Sequence, residues 1–453
     1  MSNSSGSDSI SDCNAHSEAF EQALDADCIR AVASAAYRAL SPSLDASCTV
    51  KPCMRGSYNA VYEVRFLDGT AWVVRIPYPG SRTSFRTNVI GHLFVASHTS
   101  NLIPKLHAYS LNDDNALGHP YMIMDFVPGI PLLDVWYDPS WWTGARSRSR
   151  TIASIARQVL QLSSLEFGQI GVIERNDATG EYHVAPFPSR LDLCPRARGP
   201  DGPLGPFKTQ REYFQALHAS AMVGGRTPEL DFLEMFMGTF LDPKYDAGPF
   251  TLGHADLACQ NIFIDDVSGE VTAIIDWDKL AVLPPQLGAF AYPSWLVADW
   301  DPVTYEIYRG ANRHDRVEDL HEYRSAYVDA VRAHSGDVAA DITRNSHITA
   351  ALNTALRQLH GMADIVYQLG KLYCGSAKLI FDICCAAGSS TWYLRDPKAI
   401  IQMPEFNTWK EIFPEDSDED VATDEPEGEV EDSQPNVPDA APQAEVALGA
   451  EVL

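Results

Sequence analysis

The chain has 453 residues, 45% hydrophobic and 21% charged, enough for a sizeable core in about two or three compact units. Its formal net charge of −27, from 34 Lys+Arg against 61 Asp+Glu, argues against non-specific binding to nucleic acid or to an anionic membrane. The nine cysteines are odd in number and match no zinc-knuckle spacing, which suits a reducing compartment.

Residues 1–18 read as a polar, disordered leader without the basic start and apolar run of a secretory signal. No stretch of about 18 residues is free of charges and breakers, so no membrane span and a cytoplasmic location are expected. A helix follows, with Ile29, Val32, Ala33, Ala36 and Leu40 at helical spacing. Tyr58, Ala60, Tyr62, Val64 and Phe66 then alternate with Asn59, Glu63 and Arg65, which predicts a strand. Asp68-Gly69 is a hairpin turn, and Trp72–Ile76 returns as a β-branched strand with Arg75 on the face opposite Trp72, Val74 and Ile76. Val89, Ile90, Leu93 and Phe94 mark a second helix, weakened by Gly91, and Pro120–Phe126 a further strand.

After the break at Val127-Pro128-Gly129 helical segments dominate, among them one with Ile152, Ile155, Ala156, Val159 and Leu160 on one stripe. Six prolines between Pro186 and Pro206 make that segment irregular. The domain reading is therefore a leader (1–18), a first lobe (19–127), a second, mainly helical lobe (128–413) and a tail (414–453). From Pro414 to Leu453 there are 14 acidic residues and no Lys or Arg, so the tail is expected to be disordered, and either solubilises the chain or docks a basic partner.

The informative stretch is Thr251–Asp278. It holds His254-Ala255-Asp256, then Asn261, then Ile274-Ile275-Asp276-Trp277-Asp278. Between Asn261 and Asp276 lie a short apolar strand, a turn over Asp265–Gly269 and a second strand. Such a hairpin returns Asp276 toward Asn261. Hard oxygen ligands of this kind suit Mg²⁺, which takes its remaining ligands from water and phosphate. Asp256 is then left to orient an attacking hydroxyl, the division of labour that phosphoryl transfer needs.

This stretch resembles the catalytic segment of the aminoglycoside phosphotransferase and choline kinase group, and more narrowly the fungal phosphotransferase-domain proteins. Gly56-Ser57-Tyr58-Asn59-Ala60-Val61-Tyr62 is similar to their phosphate-covering loop, Trp72–Pro77 to the next strand, and Met122–Gly129 to the hinge between lobes. The resemblance implies an α+β, protein-kinase-like fold, with a small β-rich lobe over a large, mainly helical one. It implies Asp256 as catalytic base, His254 as a brace, and Asn261 and Asp276 as Mg²⁺ ligands. It implies that Ser57, Asn59 and Arg75 face the nucleotide phosphates and that the backbone of Asp125 and Val127 meets adenine.

Two positions depart from the pattern. Kinase-like enzymes hold a Lys on the third strand against a Glu on the following helix. Here the strand carries Arg75, the helix position is Asn88, and no Glu occurs between Glu63 and Glu166. Arg keeps the charge and a bidentate grip on phosphate, but its orientation must rest on something else. The motif also reads His-Ala-Asp where the family often has His-Gly-Asp.

The expected function is ATP-dependent, Mg²⁺-assisted transfer of a phosphoryl group to a hydroxyl of a small-molecule acceptor. The alternative is a nucleotide-binding pseudokinase without turnover. Trp141, Trp142, Trp277, Trp295 and Trp300 are either packing residues or a cage for a cationic ligand, and Asp278 and Asp299 are candidates for a cationic or hydroxylated acceptor, but the sequence does not name that acceptor.

Overall fold

The computed structural model describes residues 17–40, 42–43, 45–189, 202–300, 315–358 and 361–375. The acidic tail, most of the polar leader and the middle of the proline-rich segment lie outside the described residues.

Helix α1 (Ala26–Leu40) packs on a six-stranded antiparallel sheet ordered β1-β3-β4-β6-β5, with β2 paired to β3. The strands are β1 (Cys48–Val50), β2 (Met54–Arg55), β3 (Asn59–Phe66), β4 (Ala71–Pro77), β5 (Leu106–Ser110) and β6 (Tyr121–Asp125). The alternation read from the sequence is the cause of this layer. Ala60, Tyr62, Val64, Phe66, Trp72, Val74 and Ile76 all point into one core with Ile29, Val32 and Tyr37. Tyr37 stacks on Phe66 at 4.0 Å between ring centroids, and its hydroxyl donates to Asp68 in the hairpin turn at 2.6 Å.

Helix α2 (Phe85–His98) covers the other face of the sheet through Phe85, Val89, Met122 and Met124. It runs through Gly91, which packs beside Leu280 of the loop that carries Asp276 and Asp278; a Cβ there would lie 3.4 Å from the Leu280 side chain, an ordinary contact. The helix is also tied to the second half of the chain. Arg86 donates to Glu174 at 3.1 Å and to Asp177 at 2.9 Å, and the Thr87 hydroxyl donates to Glu174 at 3.0 Å.

The second half holds more strand than the periodicity showed. A five-stranded sheet is ordered β10-β9-β14-β11-β8 and a three-stranded one β13-β12-β7. These are β7 (Ile130–Pro131), β8 (Glu166–Phe167), β9 (Gly171–Arg175), β10 (Tyr182–Ala185), β11 (Phe250–Gly253), β12 (Ile262–Ile264), β13 (Val271–Ile274) and β14 (Ala281–Leu283). Strands of two to five residues show too few alternations to be read as period two, which is why β8 to β10 are not apparent in the sequence. The helices around them are well signposted. Ser147 caps α4 (Arg148–Val159; α3 is Leu132–Trp136) by accepting the Arg150 N–H. Thr209 and Glu212 form a capping box on α5 (Gln210–Met222), which packs beside α6 (Pro228–Phe240). The long run α7 (Val317–Arg357) is broken at Gly336, where φ is 86°, and α8 is Met362–Cys374. No helix among the described residues is long and apolar enough to cross a membrane.

Candidate active site

The catalytic-loop candidates are positioned by backbone. Strand β11 ends at Gly253, where a Cβ would come within 2.7 Å of the Leu287 carbonyl, so only glycine lets the strand end against that turn. His254 follows. Its Nε2 donates to the Ile275 carbonyl at 3.0 Å, and its Nδ1 accepts the Asp256 N–H at 3.2 Å. Those two bonds specify the neutral imidazole protonated on Nε2. Burial lowers the His254 pKa, which keeps the ring in that form. Trp277 packs edge-on against His254 at 4.8 Å and donates its indole N–H to the Ile274 carbonyl at 2.7 Å. It is 3% exposed and therefore a packing residue, not a wall of a substrate cage.

Asn261 is buried and donates its Nδ2 to the Asp256 carbonyl at 2.8 Å and to the Asp256 carboxylate at 3.0 Å. Strands β12 and β13 pair Ile262 with Ile274, and the Ile275 N–H donates to the Asn261 carbonyl at 2.8 Å. The hairpin thus sets Asp276 next to the Asn261 backbone, as the spacing predicted. Asp276 lies in the left-handed region at φ 61° and Lys279 at φ 60°, a conformation that costs about 1–2 kcal/mol for a residue with a Cβ.

The strand cation is held from an unexpected side. Arg75 Nη2 donates to Asp276 at 2.9 Å and to Asp278 at 3.1 Å, and Nη1 donates to Asp278 at 3.4 Å. Asn59 also donates to Asp278, at 3.3 Å. Burial alone would disfavour the Arg75 charge, but Asp278 and Asp276 outweigh it and raise the pKa further. The helix residue aligned with the missing Glu does something else: Asn88 Oδ1 accepts the Lys279 N–H at 2.9 Å, which helps hold that residue in its left-handed conformation.

Asp278, a candidate substrate residue by sequence, is the carboxylate partner of Arg75. Its signal in the sequence is the two-residue spacing from Asp276; with Asp276 left-handed, the turn that follows it, not strand alternation, brings both carboxylates to Arg75. Asp299, the other such candidate, is paired with Arg324 at 2.6 and 3.0 Å. Lys279 was not singled out at all. Its ammonium lies 4.3 Å from the centre of the Tyr58 ring in the loop before β3.

Of the remaining candidates, Ser57 is exposed on that loop, and Asn59 is turned onto Asp278. The Asp125 N–H donates to the Lys105 carbonyl at 3.0 Å, and its carboxylate meets His107 at 2.6 Å. Val127 is half-buried just beyond β6. Asp256 opens onto a cavity of about 390 Å³ that reaches from Asn88 and Lys279 to Trp300 and Arg357.

Asp276 and Asn261 supply hard oxygen donors, and the Asn261 amide nitrogen is the atom spent on Asp256, so the donor set fits Mg²⁺. No group of three or more His, Cys, Asp or Glu that could hold a metal occurs among the described residues.

Residues 49–324 match the model of the phosphotransferase enzyme family. The chain belongs to that family. Its fold is accordingly α+β and protein-kinase-like. Among curated proteins, this phosphotransferase-family chain is 23% identical over 283 residues to altered inheritance of mitochondria protein 9, mitochondrial, of Yarrowia lipolytica. The match covers 51% of this chain and 49% of that protein, so the chain spans about half the length of the curated relative. Among solved structures, it is similar to a macrolide 2′-phosphotransferase of Brachybacterium faecium, at 17% identity and a TM-score of 0.40, over 79% of this chain and 98% of that one. It is also similar to a thermostable mutant of aminoglycoside phosphotransferase APH(4)-Ia, solved with AMP-PNP and hygromycin B, at 14% identity and a TM-score of 0.38, over 76% of this chain and 96% of that one.

Proposed function

We propose that the chain is an ATP-dependent, Mg²⁺-assisted phosphotransferase acting on a hydroxyl of a small molecule. Residues 19–127 are taken as the nucleotide lobe and 128–413 as the lobe carrying the catalytic loop and acceptor site. The observation that carries this reading is the meeting of Arg75 with Asp276 and Asp278, beside the Asp256–Asn261 pair. It supports this reading because a cation, Arg75, lies against two carboxylates that neighbour the Asp256–Asn261 pair.

In this reading Asp256 orients the acceptor hydroxyl and takes its proton. The hydroxyl oxygen forms the new bond to the γ-phosphorus, the bond to the β–γ bridging oxygen breaks, and ADP leaves. Asn261 and Asp276 hold Mg²⁺, which when bound offsets phosphate charge. Arg75 reaches the phosphates with its orientation fixed by Asp278, and His254 stays neutral and braces the loop. Ser57 and the backbone of Asp125 and Val127 complete the nucleotide site. A module without turnover was favoured by the absent helix Glu. Asp278 supplies a carboxylate from another element, which weakens that reason.

Isothermal titration of ATP with and without Mg²⁺, followed by a hydrolysis assay, tests the reading. Metal-dependent binding with turnover is expected, and Asp276→Asn should remove the metal dependence while the chain stays folded, with some loss of melting temperature because Arg75 keeps only Asp278. Binding without turnover, or a metal dependence unchanged in that variant, would overturn the assignment.

A further inference from the structure

The segment that carries Asp276 and Asp278 ends on a cation with no part in the phosphotransferase reading. Lys279 is half-buried and lines the cavity together with Asn88 and Asp256. Its backbone sits at φ 60°, and its N–H is held by the buried Asn88 side chain at 2.9 Å. Glycine or asparagine takes that conformation with less strain than lysine does. A strained residue that its surroundings hold in place points to a use for its side chain.

The side chain reaches the loop before β3, where its ammonium lies 4.3 Å from the centre of the Tyr58 ring. That end of the contact is also fixed through backbone. The Tyr58 carbonyl accepts the Tyr78 N–H at 3.0 Å, and the Gly56 N–H donates to the Asn59 carbonyl at 3.0 Å. Asn59 donates to Asp278, so two consecutive residues of the loop, Tyr58 and Asn59, meet two consecutive residues of the segment, Lys279 and Asp278.

Charge gives the ammonium a use. Two carboxylates, Asp276 and Asp278, lie against the one guanidinium of Arg75. A triphosphate brought beside them adds several negative charges, and a further cation on the same segment offsets part of that charge. Tyr58 is 50% exposed, and a cation–π contact with so exposed a ring is weak enough to be exchanged for a phosphate oxygen. Lys279 and Asp256 border one cavity, so the phosphate it would meet is the one next to the acceptor.

We propose that Lys279 is a γ-phosphate-binding residue, whose ammonium leaves the Tyr58 ring for a γ-phosphate oxygen when ATP binds. This depends on the phosphotransferase reading for the nucleotide and for the place of the acceptor beside Asp256.

ATP and ADP differ by the phosphate in question, so the test compares them. Both are titrated calorimetrically, with Mg²⁺, into the full chain and its variants, and the native chain should prefer ATP. Lys279→Asn should weaken ATP about tenfold, the scale of one charge-assisted hydrogen bond, and leave ADP within about twofold. It should keep or raise the melting temperature, because asparagine suits the left-handed backbone. Lys279→Arg, which keeps the charge, should keep most of the preference for ATP. Tyr58→Leu should keep or widen it, since the ammonium is released from the ring. Equal losses for ATP and ADP in Lys279→Asn, or a preference lost as fully in Tyr58→Leu, would mean that the pair only ties the loop to the segment, and would overturn the proposal. So would unchanged ATP affinity in Lys279→Asn, or a native chain that binds ADP as tightly as ATP. A native chain that binds neither nucleotide would sink the phosphotransferase reading, and the proposal with it.

Discussion

The candidate catalytic loop and the cation clamp are built over different distances in the chain. His254, Asp256 and Asn261 lie within eight positions of one another, and the bonds among them run largely through backbone: Nδ1 to the Asp256 N–H, Nδ2 to the Asp256 carbonyl, Nε2 to the Ile275 carbonyl. The clamp joins Arg75 on β4 to Asp276 and Asp278 some 200 positions later, side chain to side chain, and Asn88 on α2 to the Lys279 backbone N–H. A local arrangement held by backbone shows as a motif. An arrangement held across the fold can exchange its partners and leave little trace, as the Asn88 and Asp278 pair does.

The comparison can be broken at several points. The largest effect is expected in the loop. Asp256→Asn should lower phosphoryl transfer by about 10²-fold or more, the scale of a lost general base, with the melting temperature nearly unchanged; a rate close to native would remove Asp256 from the chemistry. In the clamp, Asp278→Asn should weaken ATP binding by about 1–3 kcal/mol and also cost stability. Arg75 is 14% exposed and would keep only Asp276 as its carboxylate. Titrating ATP into Asp278→Asn and Asn88→Ala side by side decides which residue holds the cation. Equal losses would refute the assignment of Asp278.

A pH series compares both regions at once. Burial lowers the pKa of His254 in the loop and brings that of His92 in α2 down to about 4, against 6.5 in the unfolded chain. The folded state therefore binds fewer protons, so stability is complete above about pH 6.5 and declines as the pH falls toward about 4. For His92, whose Nε2 meets the Pro104 carbonyl at 2.8 Å, the loss by pH 5 should be about 2 kcal/mol. Urea midpoints at pH 7 and 5 measure it, and His92→Gln should flatten the slope. A slope unaffected by that change would mean that His92 carries its charge in the folded protein.

The smallest effect belongs to Asn88. Asn88→Ala should cost about 1 kcal/mol through the lost Lys279 bond. Asn88→Glu should weaken ATP binding rather than repair the clamp, because a new carboxylate would join Asp276 and Asp278 on the same cation. Tighter ATP binding in Asn88→Glu would restore the helix residue to the role that the usual pattern gives it.

The sequence by itself determined the elements whose cause is local. The alternation in β3 and β4, the Asp68-Gly69 turn, the stripes of α1 and α4, and the hairpin from Asn261 to Asp276 all follow from periodicity and turn chemistry, and the structure carries each of them. It also placed Arg75 correctly on the face away from the core. Tertiary structure alone decided what that face meets. Asp278 reached Arg75, Asn88 turned to Lys279, Asp299 found Arg324, and Trp277 went under His254 instead of into a substrate cage. Each of these pairings spans at least 20 residues, and side-chain direction across such distances depends on how lobes and helices pack, which no short window of sequence encodes.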